Sequence, residues 1–397
     1  MTGGVLRRLR VLHCSNADAR GGAEEHMLTL LRGLDRERFA PALACPAALL
    51  AQLPDLPPDL LVTTLAPMHP WDVACGARLT RWLRRHQVDV VHAHLSCASR
   101  AVAPWARLAR TPVFLETPHV RESWRRGWKR ARVLDRIAGR LVHAYIAVSG
   151  ANARYLRDEV RLPAAKIHLI RNGIDVARFN APARQLHDPR PELGIAPTEL
   201  VVLCSARLEP QKGHAVLLQA LAWLPRPIRS RLRLVCLGTG SLEAELRRQI
   251  EALGLERHVI LAGYCRTVES WLAAADIFAL PSLYEGLPLS AMEASAAGCP
   301  IVATAVDGTP EVVADEVNGL LVPPGSAGAL AAALLRLAAD STLRAALGDA
   351  GRRRARREFD QQRQIAATAQ LYMDCCRTRG CAAPATAALP AAVRRTA

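Results

Sequence analysis

Short apolar or β-branched runs alternate along this chain with longer stretches whose apolar positions recur every three or four residues. "LRVLHCS", "VDVVHAH", "PVFLETP", "AYIAVS" and "KIHLIRN" predict buried strands in the first half. "LVVLCSAR", "RLRLVCLG", "HVILAGY", "DIFALPS", "PIVATAV" and "GLLVPPG" do so in the second. Between them lie segments of helical period such as "AEEHMLTLLRGL" and "SLEAELRRQIEALG". Strand–helix alternation of this kind predicts parallel sheets covered by helices on both faces, the α/β class. The alternation breaks once, at "RNGIDVARFNAPARQLHDPRPELGI" (171–195), where proline, charge and polar residues replace any sustained period. This segment reads as a linker between two doubly wound domains, residues 1–180 and 181–358, facing each other across a cleft. Helices follow to about residue 380, and "CAAPATAALPAAVRRTA" (381–397) reads as a frayed, disordered tail.

Composition narrows the class. The chain has 397 residues, half of them hydrophobic, enough for two cores. Its longest uncharged stretches, such as "FAPALACPAALLAQLP", contain proline and fall short of the roughly 18 residues of a membrane span. The beginning, "MTGGVLRRLRVLHCSN", enters a strand without the apolar core of a secretory signal, so residence in the cytoplasm is expected. Eleven cysteines stand in unpatterned positions without a CxxC pair, which argues for reduced thiols and against a structural zinc site. The net charge of +16 is uneven: residues 1–180 hold 28 Lys+Arg against 15 Asp+Glu, and the rest 24 against 21. A basic first half suits an anionic partner: nucleic acid, an anionic membrane leaflet or a phosphorylated substrate.

In doubly wound sheets ligands meet the loops that leave the carboxyl ends of the strands. Gly21 and Gly22 follow the first strand and open a helix, where backbone amides can approach an anion; a plain tight turn has the same sequence. Arg207 and Lys212 stand in "SARLEPQKG", and Lys212 is one of only three lysines. Two cations at that place can neutralise a diphosphate without a metal, although a solvated surface pair is the plainer alternative. Gly238 and Gly240 permit a tight loop after "RLRLVC", and Tyr264-Cys265-Arg266 offer a surface for a flat base. "YEGLPLSAME" places Glu285 before a helix with Pro288 in its first turn and Glu293 two turns in, which would bring the two acids near one face. Gly286, Leu287, Pro288 and Leu289 would leave bare amides for phosphate oxygens, while the acids would accept sugar hydroxyls.

Together these loops resemble the retaining, nucleotide-sugar-dependent glycosyltransferases of the GT-B fold, group 1 type, from about residue 10 to about 375. The resemblance rests on Glu285 and Glu293 as the paired glutamates, "RLEPQKG", "IRNGID" and "GTPEVV…NGLLVPPG", in that family's order along the chain. It implies a hexosyl transfer from a UDP- or GDP-linked sugar to a glycan or lipid-linked acceptor in cell-envelope or exopolysaccharide synthesis. It also implies that Arg207 and Lys212 hold the donor diphosphate together with the amides of Gly21 and Gly22. Glu285 would then bind the sugar ring, Glu293 the ribose, and His119 of "ETPHV" the sugar. His92 and His94 read as buried strand and loop residues. Residues 359–380, with Tyr372, resemble the helix that crosses back onto the first domain. The absence of an Asp-x-Asp triplet fits a reaction with no metal and no cofactor beyond the sugar nucleotide.

"RESWRRGWKRARVLDRIAGR" (121–140) carries eight cations and two acids, with Trp124 and Trp128 four apart. It suits either the surface of an anionic leaflet, hence the cytoplasmic face of the inner membrane, or a solvated helix with its tryptophans turned inward. Nucleic acid ranks below, because aromatics make up 4% of the chain and no RNA-recognition signature is present. A sugar-nucleotide epimerase of the same fold and a non-catalytic basic binding protein are the competing functions.

Overall fold

In a computed structural model the described residues are 7–53, 55–119, 139–180 and 186–381. The basic segment 121–140, apart from its last two residues, and the tail from 382 lie outside them.

The first sheet contains β1 (Leu9–Cys14), β2 (Phe39–Ala44), β3 (Leu61–Thr63), β4 (Val90–His94), β5 (Val113–Thr117), β6 (Ala144–Ala147) and β7 (Ile167–Leu169). Its spatial order is β3-β2-β1-β4-β5-β6-β7. The second holds β8 (Leu200–Ser205), β9 (Leu232–Leu237), β10 (Val259–Gly263), β11 (Ile277–Leu280), β12 (Ile301–Thr304) and β13 (Gly319–Val322), in the order β10-β9-β8-β11-β12-β13. Every pairing in the second sheet is parallel. In both, the chain lays down three strands in one direction from the first and then returns to its other side, so the order reverses between β1 and β4 and again between β8 and β11. That is the Rossmann-like, doubly wound arrangement expected of the sequence.

The continuous apolar runs have a simple cause. Along β8, Val202 and Cys204 join one core while Val201 and Leu203 join another; β9 and β11 alternate in the same way. On one face the sheet packs against Leu217, Leu218, Leu221, Leu330 and Leu334. On the other it packs against Ala291, Met292, Val312 and Phe359. With helices on both sides, neither set of side chains can be polar, and each fully buried leucine contributes about 2 kcal/mol.

The chain divides into two compact units. One holds Met1–Thr117, Arg130–Tyr145 and Ile365–Ala397; the other holds Pro118–Lys129 and Ile146–Gln364. The helix Gln361–Thr378 therefore begins in the second unit and from Ile365 belongs to the first. There Ile365 fills the space beside Gly33, and Tyr372, fully buried, donates or accepts a 2.6 Å hydrogen bond with His92 Nδ1.

Candidate active site

The reversal between β8 and β11 opens the second sheet where two loops part, and four of the residues singled out above stand there. After β8 the chain runs through Arg207 to a single 3-10 turn, Pro210–Lys212, and then to Gly213 at φ +67° before the helix His214–Ala222. Only glycine suits this corner: the conformation is left-handed, and a Cβ would lie 2.1 Å from the Pro281 carbonyl oxygen of the loop after β11. Backbone bonds close the junction. The Leu283 amide donates to the Gln211 carbonyl at 2.7 Å, and Gln211 Nε2 donates to the Tyr284 carbonyl at 2.9 Å.

This junction sets Lys212 Nζ 2.6 Å from Glu285 Oε1, with side chains 16% and 5% exposed. Ser282 Oγ donates to the same carboxylate oxygen at 2.7 Å. The serine is itself oriented by Thr304, whose hydroxyl donates to the Ser282 carbonyl. The Glu285 amide donates to Asp307 Oδ2 at 2.9 Å. Asp307 adopts φ +41°, a conformation that costs most side chains energy and that aspartate tolerates better than most. Three loops, after β8, β11 and β12, thus converge on Glu285, with Lys212 and Ser282 at its carboxylate and Asp307 at its amide.

Gly286 and Gly308 stack backbone on backbone beneath it. A Cβ on Gly286 would lie 1.7 Å from the His119 carbonyl oxygen, and one on Gly308 would lie 2.0 Å from the Gly286 carbonyl oxygen. The backbone of the buried residue His119 therefore lies against the turn that carries Glu285. Leu287 and Pro288 are buried beyond it, and the Leu287 carbonyl accepts from Asn172 Nδ2 at 3.2 Å.

The helix itself differs from the expectation. It spans Leu289–Ala297, with Pro288 (φ −71°, ψ 112°) just outside rather than in the first turn. Residues 285–288 are not helical, so the helical step from Glu285 to Glu293 does not apply; Glu293 lies in the second turn, half-buried. The cause is the tight apposition of Gly286 to two other backbones, which leaves no room for a helical coil there. No side chain caps this helix, so its first amides stay available.

The Arg207 side chain is exposed and makes no hydrogen bond or ion pair among the described residues, while its carbonyl accepts from the Glu209 amide at 2.8 Å. It is flanked by the loop after β9: a Cβ on Gly238 (φ +137°) would meet the Ala206 carbonyl oxygen at 2.2 Å, and one on Gly240 the Leu208 carbonyl oxygen at 2.4 Å. The Gly238 amide donates to the Gly263 carbonyl at 2.7 Å, joining the end of β10, where Tyr264 is exposed and Cys265 half-buried. The sheet thus gathers Arg207, Gly238 and the approach to Tyr264 along one margin.

Sequence reasoning passed over four residues here. Ser282, Gln211 and Asp307 act through contacts made only when the loops meet. Glu209 accepts from the Ser241 amide (3.0 Å) and hydroxyl (2.8 Å), which hold its carboxyl below the usual range. "VDGTPE" carried the one available signal, an aspartate before a glycine in a strand-end loop.

In the first unit, Gly21 is extended (φ −154°, ψ −167°) and caps the helix Gly22–Gly33, which opens after β1 without a side-chain cap. Glu24 in its first turn is buried and accepts from Ser15 Oγ at 3.1 Å. At the ends of β1 and β4, His13, His92 and His94 are wholly buried, as expected of His92 and His94. His13 Nδ1 and His94 Nε2 share a 3.0 Å hydrogen bond, and His92 Nε2 pairs with Thr117 Oγ1 at 2.6 Å. Their ring nitrogens lie within 4.8 Å of one another, but His92 has both of its own engaged, one with Tyr372 and one with Thr117.

Residues 188–354 match the model of the glycosyl transferases group 1, and residues 20–178 match that of Glycosyltransferase Family 4. The D-inositol 3-phosphate glycosyltransferase of Xylanimonas cellulosilytica is 33% identical over 311 residues, 73% of this chain and 73% of that protein. The chain belongs to the group 1 glycosyltransferases. A GDP-mannose-dependent phosphatidylinositol monomannoside mannosyltransferase of Mycobacterium tuberculosis is 32% identical to this glycosyltransferase, over 69% of its chain and 73% of the relative. The crystal structure of Anabaena HepE with UDP-glucose shares the GT-B fold with it, at a TM-score of 0.79 and 23% identity over 92% of this chain and 100% of that one. The glycosyltransferase margin just described is therefore built from the segment that the group 1 model covers, and Glu285, Lys212, Arg207 and Asp307 all fall inside it.

Proposed function

We propose that this glycosyltransferase moves a hexosyl group from a UDP- or GDP-linked sugar to a glycan or lipid-linked acceptor, with retention at the anomeric carbon and without a metal ion. The observation that carries the reading is the buried Lys212–Glu285 pair, 2.6 Å apart where the second sheet reverses its order, with Arg207 unpaired on the same margin. A guanidinium and an ammonium supply the charge that a departing nucleoside diphosphate needs, and the uncapped helix at Leu289 adds its dipole. Glu285 keeps acceptor capacity for sugar hydroxyls, and Tyr264 and Cys265 offer a bed for the base. Gly21, Gly22 and His119 are assigned the roles that the family pattern implies, diphosphate and sugar contact. Cleavage of the anomeric C–O bond passes through an oxocarbenium-like state; the sequence offers no evident carboxylate nucleophile, so retention is assigned to attack by the acceptor on the face the leaving group departs from. Relatives that use GDP-mannose on a phosphatidylinositol mannoside support a lipid-linked acceptor in envelope synthesis, reached from the cytoplasmic side. The 121–140 segment is assigned to an anionic membrane surface on its sequence.

A panel of UDP- and GDP-sugars in a thermal-shift assay identifies the donor, since ligand binding to the folded state raises Tm. With that donor, Glu285→Ala should lower transfer by about a hundredfold or more at a temperature where its melting curve shows the variant still folded. Full activity in Glu285→Ala, an inverted anomer by NMR, or loss of activity in chelator would each refute the corresponding part.

A further inference from the structure

The first unit carries an exposed apolar surface in the loop that follows β3. Between β3 and the helix Val73–Arg85, Trp71 is 73% exposed, Val73 64% and Met68 42%. These are among the most exposed large apolar side chains of the described residues. Trp71 is not loose: its ring stacks on His69 with centroids 4.9 Å apart and planes 12° from parallel.

The helix that follows, Val73–Arg85, is packed along one face. Gly76, Leu79, Thr80 and Leu83 are buried, and Gly76 lies so close to Trp105 that a Cβ there would meet the indole at 2.0 Å. The opposite face is fixed by that packing. Ala74, Arg78, Arg81 and Arg85 recur at steps of four, three and four and are all exposed. The side chains of Arg78, Arg81 and Arg85 make no hydrogen bond or ion pair among the described residues. The acid at the start of the helix, Asp72, accepts from the Cys75 amide as its cap. From Val73 to Leu115 the chain holds seven arginines and a single acid, Asp89, which is buried and bound to Arg7.

We infer that this face is a second docking surface for an anionic lipid bilayer, with Met68, Trp71 and Val73 entering the interface and Arg78, Arg81 and Arg85 lying over the headgroups. A row of guanidinium groups, about 10 Å long from Arg78 to Arg85, on the helix that follows an exposed tryptophan, matches a plane of negative charge above hydrocarbon. A soluble glycan would use the indole but leave the arginine row unexplained, so the lipid surface is the occupant the observations favour. The inference extends the membrane part of the functional reading to residues other than 121–140 and does not depend on the transfer chemistry.

Sedimentation of the full chain with vesicles of phosphatidylcholine and phosphatidylglycerol tests it, against pure phosphatidylcholine and against high salt. Binding should require the anionic lipid and fall as salt rises. The triple change Arg78→Gln/Arg81→Gln/Arg85→Gln should weaken it at least about tenfold, since each surface cation contributes about fivefold. Trp71→Ala/Val73→Ser should weaken it at high and low salt alike. Both variants should keep the Tm and the nucleotide-induced rise in Tm of the parent, so a loss of donor binding would be seen separately. The proposal is overturned if both variants pellet like the parent, whether or not neutralising 121–140 abolishes binding. It is equally overturned if the parent fails to pellet, or if a soluble oligosaccharide quenches Trp71 fluorescence and vesicles do not.

Discussion

A carboxylate 5% exposed, with an ammonium 2.6 Å away, is stable only as a pair. Removing one partner strands the other where water cannot fully reach it, while replacing both by neutral groups removes the debt. Lys212→Met should therefore lower stability by roughly 3 kcal/mol, and the double variant Lys212→Met/Glu285→Gln should recover part of that. Denaturant melts of the two would decide it; equal stability of Lys212→Met and the parent would mean that the pair is screened after all. At this scale the sequence was informative about charge but not about partnership. Glu285, Arg207 and Lys212 could be singled out because they are charged residues in strand-end loops, where a solvated surface role is the plain alternative. Nothing in the sequence says that Lys212 meets Glu285, 73 positions away, or that Ser282 and Asp307 complete the ring around it. Those contacts depend on which strands are neighbours.

Elements meet here through backbones rather than side chains. Gly213 lies against Pro281, Gly286 against His119, and Gly308 against Gly286, each too close for a Cβ. A methyl group at 286 would have to move either the His119 segment or the Glu285 turn. Gly286→Ala should cost on the order of 2–3 kcal/mol and most of the transfer activity. Gly328→Ala, whose Cβ would meet only Trp223 at 3.6 Å, is the control and should behave as the parent does. Thermal melts and a transfer assay on both would test this, and parent-like activity in Gly286→Ala would show that the turn has slack. The strands were readable as apolar runs because both faces of each sheet are covered. The helix start was not: a proline followed by apolar residues looked like a first turn, whereas the glycine contacts push that turn out to Leu289.

For the molecule as a whole, acid sensitivity should be set in the first sheet. Burial, with His26 nearby, lowers His13 to about 3, and its Nε2 has no hydrogen-bond partner among the described residues. The unfolded chain binds a proton at this site below about 6.5, while the folded one does not until about 3. Stability is therefore full above 6.5 and falls as pH drops through that window, by up to about 1.4 kcal/mol per unit from this group alone. Urea melts between those limits should show the slope, and His13→Asn should flatten it; an unchanged slope would assign it to other groups. Two doubly wound domains were legible from strand–helix alternation, but the compact units part at Tyr145 and Ile146, ahead of the proline-rich break read as a linker. The strand order was not, because parallel runs carry no mark of their neighbours. The division of the chain was least legible of all, since a helix that begins in one unit ends in the core of the other. Its consequence is practical. A fragment ending at the linker would lack Ile365 against Gly33 and Tyr372 against His92, so the front half of the gene does not encode a complete front domain. Chimeras that exchange acceptor specificity will have to carry both ends of the chain together.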